Sequence, residues 1–348
     1  MSLHTNLKGR LRNTSLPKSH GLMPVFEAVV NSIQSVEERT NYSSRGKITL
    51  EIIRSSQNMM ELGDKVDGDI VGFTIKDNGC GFNDQNFSSF ETLDSDHKIS
   101  KGCRGVGRLL WLKTFDKVEI SSTYLNDKGN FRKRAFKFDD IRGIHDVGVA
   151  ESTTETDSGT NIQLQGFDLT YQKSVPKTAE AIANALLEHC LWYFVRSHGC
   201  PMILVKDGSK LLHLDNIYEE HMHSSAYPES IQLKGYDFEL THIKFRASAT
   251  KKHQLALCAA SRLVKEENIQ GKIPGLYNKI TDETGEFVYT CYVSSPFLDE
   301  HVRAERTSFD IAESFDGLFS ESEISIKTIR DAVLERTQEY CSGQVLMK

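Results

Sequence analysis

Two polar side chains lie four residues apart in an otherwise apolar segment near the N-terminus. Glu27 and Asn31 stand among Val25, Val29 and Ile33, and a spacing of four places both on one face of a helix. Magnesium takes one or two protein oxygens and completes its shell with phosphate and water. Asn31 is therefore a candidate metal ligand and Glu27 a candidate general base. Such a pair alone is also typical of a solvated helix face.

A second motif, D-N-G-C-G-F at 77–82, directly follows a segment in which apolar and small or polar residues alternate. Asp77 at the end of a strand can accept a hydrogen bond from an exocyclic amine. Gly79 and Gly81 let the backbone approach a flat base closely. The same residues are also typical of an ordinary Asn-Gly turn.

A third motif, H-K-I-S-K-G-C-R-G-V-G-R at 97–108, precedes an apolar stretch. Glycine-rich loops that lead into a helix present backbone N–H groups to phosphates. The loop has neither the G-x-x-x-x-G-K-[ST] spacing nor the G-x-G-x-x-G order, which disfavours the two commonest phosphate-binding folds. The candidate ligands of a phosphate are Lys98, Gly102, Cys103, Arg104, Gly105, Val106 and Gly107.

The surrounding sequence predicts elements that position these motifs. Helical spacing from Pro24 to Val36 predicts a helix, and alternation predicts a strand that ends at Asp77. Residues 83–101 predict a long mobile loop, and 106–115 a buried helix. Further predicted strands are 47–54, 117–124, 131–138, 160–165, 202–206, 238–245, 255–259 and 287–293, and further helices are 179–195 and 322–340.

Bulk properties indicate a cytoplasmic protein with two domains. The chain has 348 residues, a net charge of -6 and seven cysteines without a C-x-x-C pair, which fits free thiols in a reducing compartment. No segment predicts a membrane span. We expect an N-terminal arm (1–20), a first domain that holds the three motifs (21–172), a second domain (173–312) and a C-terminal helical segment (313–348).

Four motifs in order resemble the GHKL ATPase superfamily of gyrase, heat-shock chaperones, histidine kinases and MutL. They are E-x-x-x-N at 27–31, D-x-G-x-G at 77–81, K-x-x-x-G-x-x-G-x-G at 98–107 and G-T-x-x-x-L at 159–164. The resemblance covers about residues 20–166. It implies the Bergerat fold, an α+β two-layer sandwich whose mixed sheet is covered by helices, followed by a transducer-like α/β domain. ATP and Mg²⁺ are the implied ligands.

The resemblance also implies roles for single residues. Glu27 corresponds to the general base, Asn31 to the magnesium ligand and Asp77 to the residue that reads the adenine amino group. Lys98 corresponds to a lid lysine that contacts phosphate, and Thr160 to a hydroxyl near adenine. Two positions depart from the family, because Val30 and Gln34 stand where many members carry acidic residues.

A segment of the second half, Y-V-S-S-P-F-L-D-E-H-V-R-A-E-R-T-S-F at 292–309, resembles the part of the ninety-kilodalton heat-shock chaperones that delivers an arginine to the γ-phosphate. Arg306 matches that arginine, and Arg303 is a second candidate. A surface arginine paired with Glu300 or Glu305 is the alternative.

The function expected from the resemblance is an ATP-gated clamp. ATP would order a lid (83–105), the arm would help two copies associate, and hydrolysis would separate them. A nucleotide sensor that does not hydrolyse ATP is one alternative, and a histidine kinase is another. The client remains open between a protein and DNA, and no membrane partner is expected.

Overall fold

The computed structural model describes most of the chain. The described residues are 6–39, 46–55, 60–61, 64–65, 68–92, 107–151, 156–195, 199–221, 227–246, 252–259, 262–282, 285–303, 308–315 and 323–345. Within them the chain is an α/β protein with mixed sheets and helices, which is compatible with the predicted α+β sandwich.

Two compact units divide the chain. The first comprises Met1–Cys190 and His198–Ile217, and the second comprises Leu191–Ser197 and Tyr218–Lys348. The predicted boundary between residues 172 and 173 lies inside the first unit. The chain stays in this unit because the strand Met202–Asp207 pairs in parallel with the strand Lys47–Arg54.

The first unit contains a mixed sheet. Its strands are β1 Lys47–Arg54, β4 Ile70–Asp77, β5 Phe115–Leu125, β6 Phe131–Asp139, β7 Gly143–Glu151, β8 Gly159–Phe167, β9 Met202–Asp207 and β10 Lys210–His213, and a separate hairpin has β2 Met60–Glu61 and β3 Asp64–Lys65. The order in the sheet is β10-β9-β1-β4-β8-β5-β6-β7. Only β1 and β9 are parallel among the described pairs.

Helices cover this sheet. They are α1 Leu7–Asn13, α2 Met23–Glu37, α3 Asp84–Glu91, α4 Gly107–Thr114 and α5 Leu169–Gln172, with a 3₁₀ turn at Lys18–His20; α6 Ala179–Val195 and α7 Leu214–His221 each begin in the first unit and end in the second. Helix α2 has a proline in its first turn and contacts β1, β4 and α4. It is therefore enclosed, and Glu27, Ser32 and Gln34 are buried with its apolar residues.

The second unit contains a smaller mixed sheet. Its elements are β11 Tyr227–Leu233, β12 Tyr236–Arg246, β13 Gln254–Ala259, β14 Arg262–Asn268, β15 Ile280–Asp282, β16 Gly285–Ser294, α8 Pro296–His301 and α9 Ile326–Val345. The order is β11-β12-β16-β13-β14, and β15 pairs with β16. Tyr289, Leu298, Ile329 and Val333 are buried in the core of this unit.

A helix stands where we predicted a long mobile loop. Helix α3 begins after Asn83, whose side chain accepts a hydrogen bond from Asn86 N at 2.8 Å, and this N-cap is worth about 1 kcal/mol. Phe87 and Phe90, three residues apart, share one face and pack on Phe136 of β6. The polar composition of the segment concealed this face, so the loop prediction is wrong for residues 84–91.

The N-terminal segment is not a free arm over its described residues. Leu11 and Leu16 are buried, and Tyr171 Oη donates a hydrogen bond to Leu16 O at 3.1 Å. Residues 6–20 therefore pack within the first unit and include the short helix α1.

The cysteines and the helices agree with two further predictions. Six described cysteines are free thiols, and Cys103 lies outside the described residues. No helix in the described part of the chain has the length and apolarity that a membrane crossing requires.

Candidate functional site

Asp77 is the buried centre of a hydrogen-bond network at the end of β4. Ser32 Oγ of α2 donates to Asp77 Oδ2 at 2.7 Å, and Gly79 N donates to Asp77 Oδ1 at 2.9 Å. Burial raises the pKa of Asp77 from 3.8 to about 6, against the hydrogen bonds from Ser32, Gly79 and Thr160 that lower it. The carboxylate is thus ionised at neutral pH and fixed in orientation by groups on two elements.

Hydroxyl groups of the neighbouring strands lie beside Asp77. Thr160 of β8 is directly opposite Asp77 in the antiparallel pair, and Ser122 of β5 is opposite Thr160. The two hydroxyl oxygens are 3.3 Å apart. Ser122 also donates to Gly159 O at 3.0 Å and accepts from Phe82 N at 2.8 Å. The site therefore offers one carboxylate and several hydroxyls, a set that recognises donor groups of a polar ligand.

Ser32 and Ser122 were not among the predicted site residues. Serine is common in helices and strands, and neither position belongs to a motif. A sequence signal existed for Ser122, because a polar residue in the alternating β5 segment faces the buried side. No sequence signal marks Ser32.

The two glycines after Asp77 have a packing role in this structure. A Cβ atom on Gly79 would stand 2.7 Å from the backbone carbon of Ser35 in α2, and Cys80 N donates to Ser35 O at 3.0 Å. Gly81 has φ +76° and lies against the carbonyl of Thr123, so its conformation favours glycine. The turn is thus held between α2 and β5.

Glu27 lies on α2 one and a half turns before Ser32, about 7.5 Å along the helix axis. Its side chain is buried, with 5% exposed, and Asn31 is half-buried. A Cβ atom on Gly107 would stand 3.0 Å from Glu27 Oε2. The structure therefore places the last glycine of the glycine-rich motif directly against the predicted general base.

Helix α4 is hydrogen-bonded both to α2 and to the C-terminal end of α3. Trp111 Nε1 donates to Pro24 O of α2 at 3.0 Å. Arg108 donates to Ser89 O and Thr92 O, at 3.2 and 2.6 Å. Thr92 and Arg108 therefore lie side by side.

Several predicted residues lie outside the described part of the chain. They are Lys98, Gly102, Cys103, Arg104, Gly105, Val106 and Arg306. The alternative arginine, Arg303, is described. Its guanidinium is 3.6 Å from Asp310, which is neither of the two partners expected for it.

The donor set around Glu27 and Asn31 fits a magnesium ion that keeps most of its ligands from nucleotide and water. Among the described residues, no group of three or more His, Cys, Asp and Glu side chains could hold a metal. A metal at this place would accordingly depend on Asn31 and on ligands that arrive with a substrate.

Comparisons with known proteins give no family assignment. No protein-family model matches the sequence, and no curated protein matches it.

Proposed function

We propose that this chain binds ATP with Mg²⁺ and hydrolyses it to ADP and phosphate, as a GHKL-type ATPase with a Bergerat fold. The observation that carries the proposal is the Asp77 network. A buried, ionised carboxylate held by Ser32 and Gly79 beside Thr160 is a receptor for an amine donor, and the adenine amino group is such a donor.

The second support is the contact between Glu27 and Gly107. In the proposal, Glu27 orients and deprotonates the attacking water, and Asn31 ligates the magnesium ion between the phosphates. Gly107 begins α4, whose N-terminal backbone N–H groups would face phosphate oxygens. The absence of a side chain on Gly107 leaves the Glu27 carboxylate room at this point.

The remaining parts of the proposal concern residues beyond the described ranges. Lys98 and the loop from Gly102 would enclose the phosphates, and Arg306 would stabilise charge on the transferred phosphoryl group. We further propose that ATP binding closes the chain into a dimeric clamp, in which a client protein or DNA is a possible partner. We expected a free N-terminal arm to help two copies associate. The described part of that segment packs on its own unit, so it no longer supports the dimer.

The second candidate is a nucleotide sensor that does not hydrolyse ATP. Gln34 favours it, because this buried residue of α2 stands where many GHKL members carry an acid. The fold and the Asp77 site would serve both functions equally, so turnover separates them.

The variant Glu27→Ala tests the proposal. We expect it to lose ATP turnover by at least about a hundredfold, since general-base catalysis contributes about 10² to 10⁴, while ATP affinity stays within about threefold. Phosphate release and binding of a fluorescent ATP analogue measure the two quantities. The control is Glu37→Ala, an exposed glutamate at the end of the same helix, which should keep both.

The same variant tests the clamp, because it would hold ATP without release. Its molar mass in solution, measured by light scattering with ATP and Mg²⁺, should double relative to the nucleotide-free chain. A wild type that binds ATP but shows no turnover at any concentration would favour the sensor. A chain that binds no adenine nucleotide would overturn both.

A further inference from the structure

One face of the first unit is rich in cations. Residues 6–26 contain four lysines and arginines and no Asp or Glu, and residues 169–178 contain two lysines and no acid, in a chain with a net charge of -6. We name these two segments the basic face. The cations of the basic face are Lys8, Arg10, Arg12, Lys18, Lys173 and Lys177.

The two segments lie together. Tyr171 Oη donates to Leu16 O at 3.1 Å, and Ser174 Oγ donates to Lys18 O. A Cβ atom on Gly21 would contact Val175 at 2.9 Å. The cations on the 3₁₀ turn and after α5 are therefore held together, and α1, which directly precedes them, packs on α4 of the same unit.

Most of these cations are exposed. Lys8, Arg12, Lys18, Lys173 and Lys177 are all exposed. Acids also come near them. Asp168 caps α5 by accepting from Thr170 N at 2.8 Å, and Asp69 is 3.8 Å from Lys177. The cations outnumber these acids, so the local field is positive although the whole chain is negative.

We propose that the basic face binds the phosphate backbone of duplex nucleic acid, without sequence preference. This inference deepens the proposed clamp by naming duplex nucleic acid as its partner, and the binding test below does not depend on ATP turnover. A duplex carries one negative charge per about 1.7 Å of its axis, and each lysine or arginine that contacts a phosphate releases counterions. Exposed hydroxyl and amide groups between the cations, among them Asn13, Ser15 and Ser19, can donate to phosphate oxygens as well.

Two other partners fit the face less well. A membrane surface would require exposed apolar residues for insertion, but Leu11 and Leu16 are buried and Leu169 is the one large apolar side chain of these segments that is strongly exposed. An acidic protein is disfavoured because lysine is depleted in protein interfaces. Single-stranded nucleic acid would need stacking aromatics, and Tyr171 is half-buried with its hydroxyl bound to Leu16 O.

The experiment compares two sets of four lysines changed to glutamine in the full chain. One set removes charge from the basic face, and the other removes the same charge from exposed lysines elsewhere in the first unit. The first set is Lys8, Lys18, Lys173 and Lys177, and the control set is Lys47, Lys76, Lys128 and Lys133. Glutamine keeps the helix propensity of lysine, and circular dichroism checks that both variants fold.

Fluorescence anisotropy with a labelled 30-base-pair DNA duplex, without nucleotide, measures binding from about 50 to 200 mM salt. We expect the basic-face variant to raise Kd on the order of tenfold or more and to flatten the slope of log K against log salt by about 3 to 4, close to one per lost contact. The control variant should keep the wild-type slope.

An equal loss of duplex affinity in both variants, or no duplex binding by the wild type at 50 mM salt, would overturn the inference. Stronger binding to vesicles rich in phosphatidylserine than to the duplex would assign the face to membranes instead and would also overturn it. ATP turnover is measured separately on the same proteins, so a failed ATPase assay leaves this result unaffected.

Discussion

Asp77 combines two properties that normally exclude each other in a carboxylate. It is buried, with 6% of its surface exposed, yet its pKa of about 6 leaves it ionised at neutral pH. Burial of a charge costs free energy unless hydrogen bonds compensate. The bonds from Ser32 and Gly79 supply part of that compensation, and an amine donor from a ligand would supply more. The buried charge of Asp77 therefore lowers the stability of the fold, while it provides an acceptor for a ligand.

Nucleotide affinity should depend on pH through this carboxylate. At pH 7 about nine-tenths of Asp77 is ionised and at pH 5 about one-tenth, so ATP affinity should fall roughly tenfold over that range. The variant Asp77→Asn has no titrating group at this position, so its weaker ATP binding should depend less on pH. The pH dependence that remains in this variant measures titration of the nucleotide itself and serves as the correction. Isothermal titration calorimetry at several pH values measures both proteins.

The stability of the same variant provides the check. A carboxyl group whose pKa is raised in the folded state reduces stability as pH rises from about 4 to 6. Asp77→Asn removes this cost, worth up to about 3 kcal/mol for a shift of about two units. Asp77→Asn should therefore be at least as stable as the wild type at pH 7. If it unfolds more easily while binding ATP normally, Asp77 is a structural residue.

The sequence predicts the centre of the site better than its surroundings. Glu27, Asp77 and Gly107 were identified from spacing, and the structure brings Glu27 together with Gly107 and Asp77 together with Thr160. Ser32 could not be identified, because its role depends on the angle at which α2 meets the end of β4. That angle is a tertiary property, and no local pattern encodes it.

At the scale of elements, α2 is the part that organises the site. It carries Glu27, Asn31 and Ser32, and it packs against both the turn after β4 and helix α4. Its contact with the turn is so close at Gly79 that no side chain fits. This close approach fixes the position of Asp77 relative to Glu27.

Gly79→Ala should disturb this contact. The added methyl group would meet the Ser35 backbone at 2.7 Å, and we expect a loss of about 1 to 3 kcal/mol together with weaker ATP binding. Gly148→Ala in β7 is the matched control. Neither glycine has a positive φ, but a Cβ on Gly148 meets nothing within 4 Å, so that variant should be neutral or slightly stabilised.

Urea unfolding tests this difference in a Trp192→Phe background. The chain has two tryptophans, so Trp111 then reports on the first unit. Equal urea midpoints for the two glycine variants would show that α2 shifts at Ser35 without loss of stability and does not position the turn.

Two packing contacts escaped prediction for a common reason. Residues 84–91 were assigned to a loop and residues 1–20 to an arm outside the core, because both segments are rich in polar and charged residues. Each nevertheless has a few apolar side chains on one face, Phe87 and Phe90 in α3, and Leu11 and Leu16 in the N-terminal segment. A narrow apolar stripe suffices once a partner surface exists, and the partner is distant in sequence.

At the scale of the whole molecule, the sequence misplaces the division between units. The break in pattern near residue 172 is real, but the strand Met202–Asp207 returns to the first sheet beside β1. Parallel pairing between strands about 150 residues apart leaves no local signature. The apolar helix α6, which follows the predicted boundary, begins in the first unit and ends in the second.

The surroundings of Asp77 in the first unit and of two buried histidines in the second should respond to acid in opposite directions. In the first, Asp77 is stabilised by protonation as pH falls from about 6 to 4. In the second, burial disfavours the charged forms of His242 and His253 and lowers their pKa values. Their hydrogen bonds to Glu229 and Asn278 act in the opposite direction but do not outweigh burial.

The hydrogen bonds of His253 show why it must stay neutral. Its Nδ1 accepts from Tyr289 N at 2.9 Å, and its Nε2 lies 2.6 Å from Asn278 O, so Nε2 carries the proton. A second proton would go on Nδ1 and break the bond to Tyr289. The unfolded chain takes up that proton below about pH 6.5 and the folded chain does not, so stability falls as pH falls, by at most about 1.4 kcal/mol per pH unit for each histidine.

Hydrogen exchange of the full chain, corrected for intrinsic rates, should therefore show faster opening of β13 and β16 at pH 5 than at pH 7. The strands β4 and β8 around Asp77 should be unchanged or more protected. His253→Gln should reduce the pH dependence in the second unit, whereas His213→Gln in β10 should retain it. Uniform loss of protection across both sheets at pH 5 would contradict the opposite signs and would indicate that acid acts on a group common to both units.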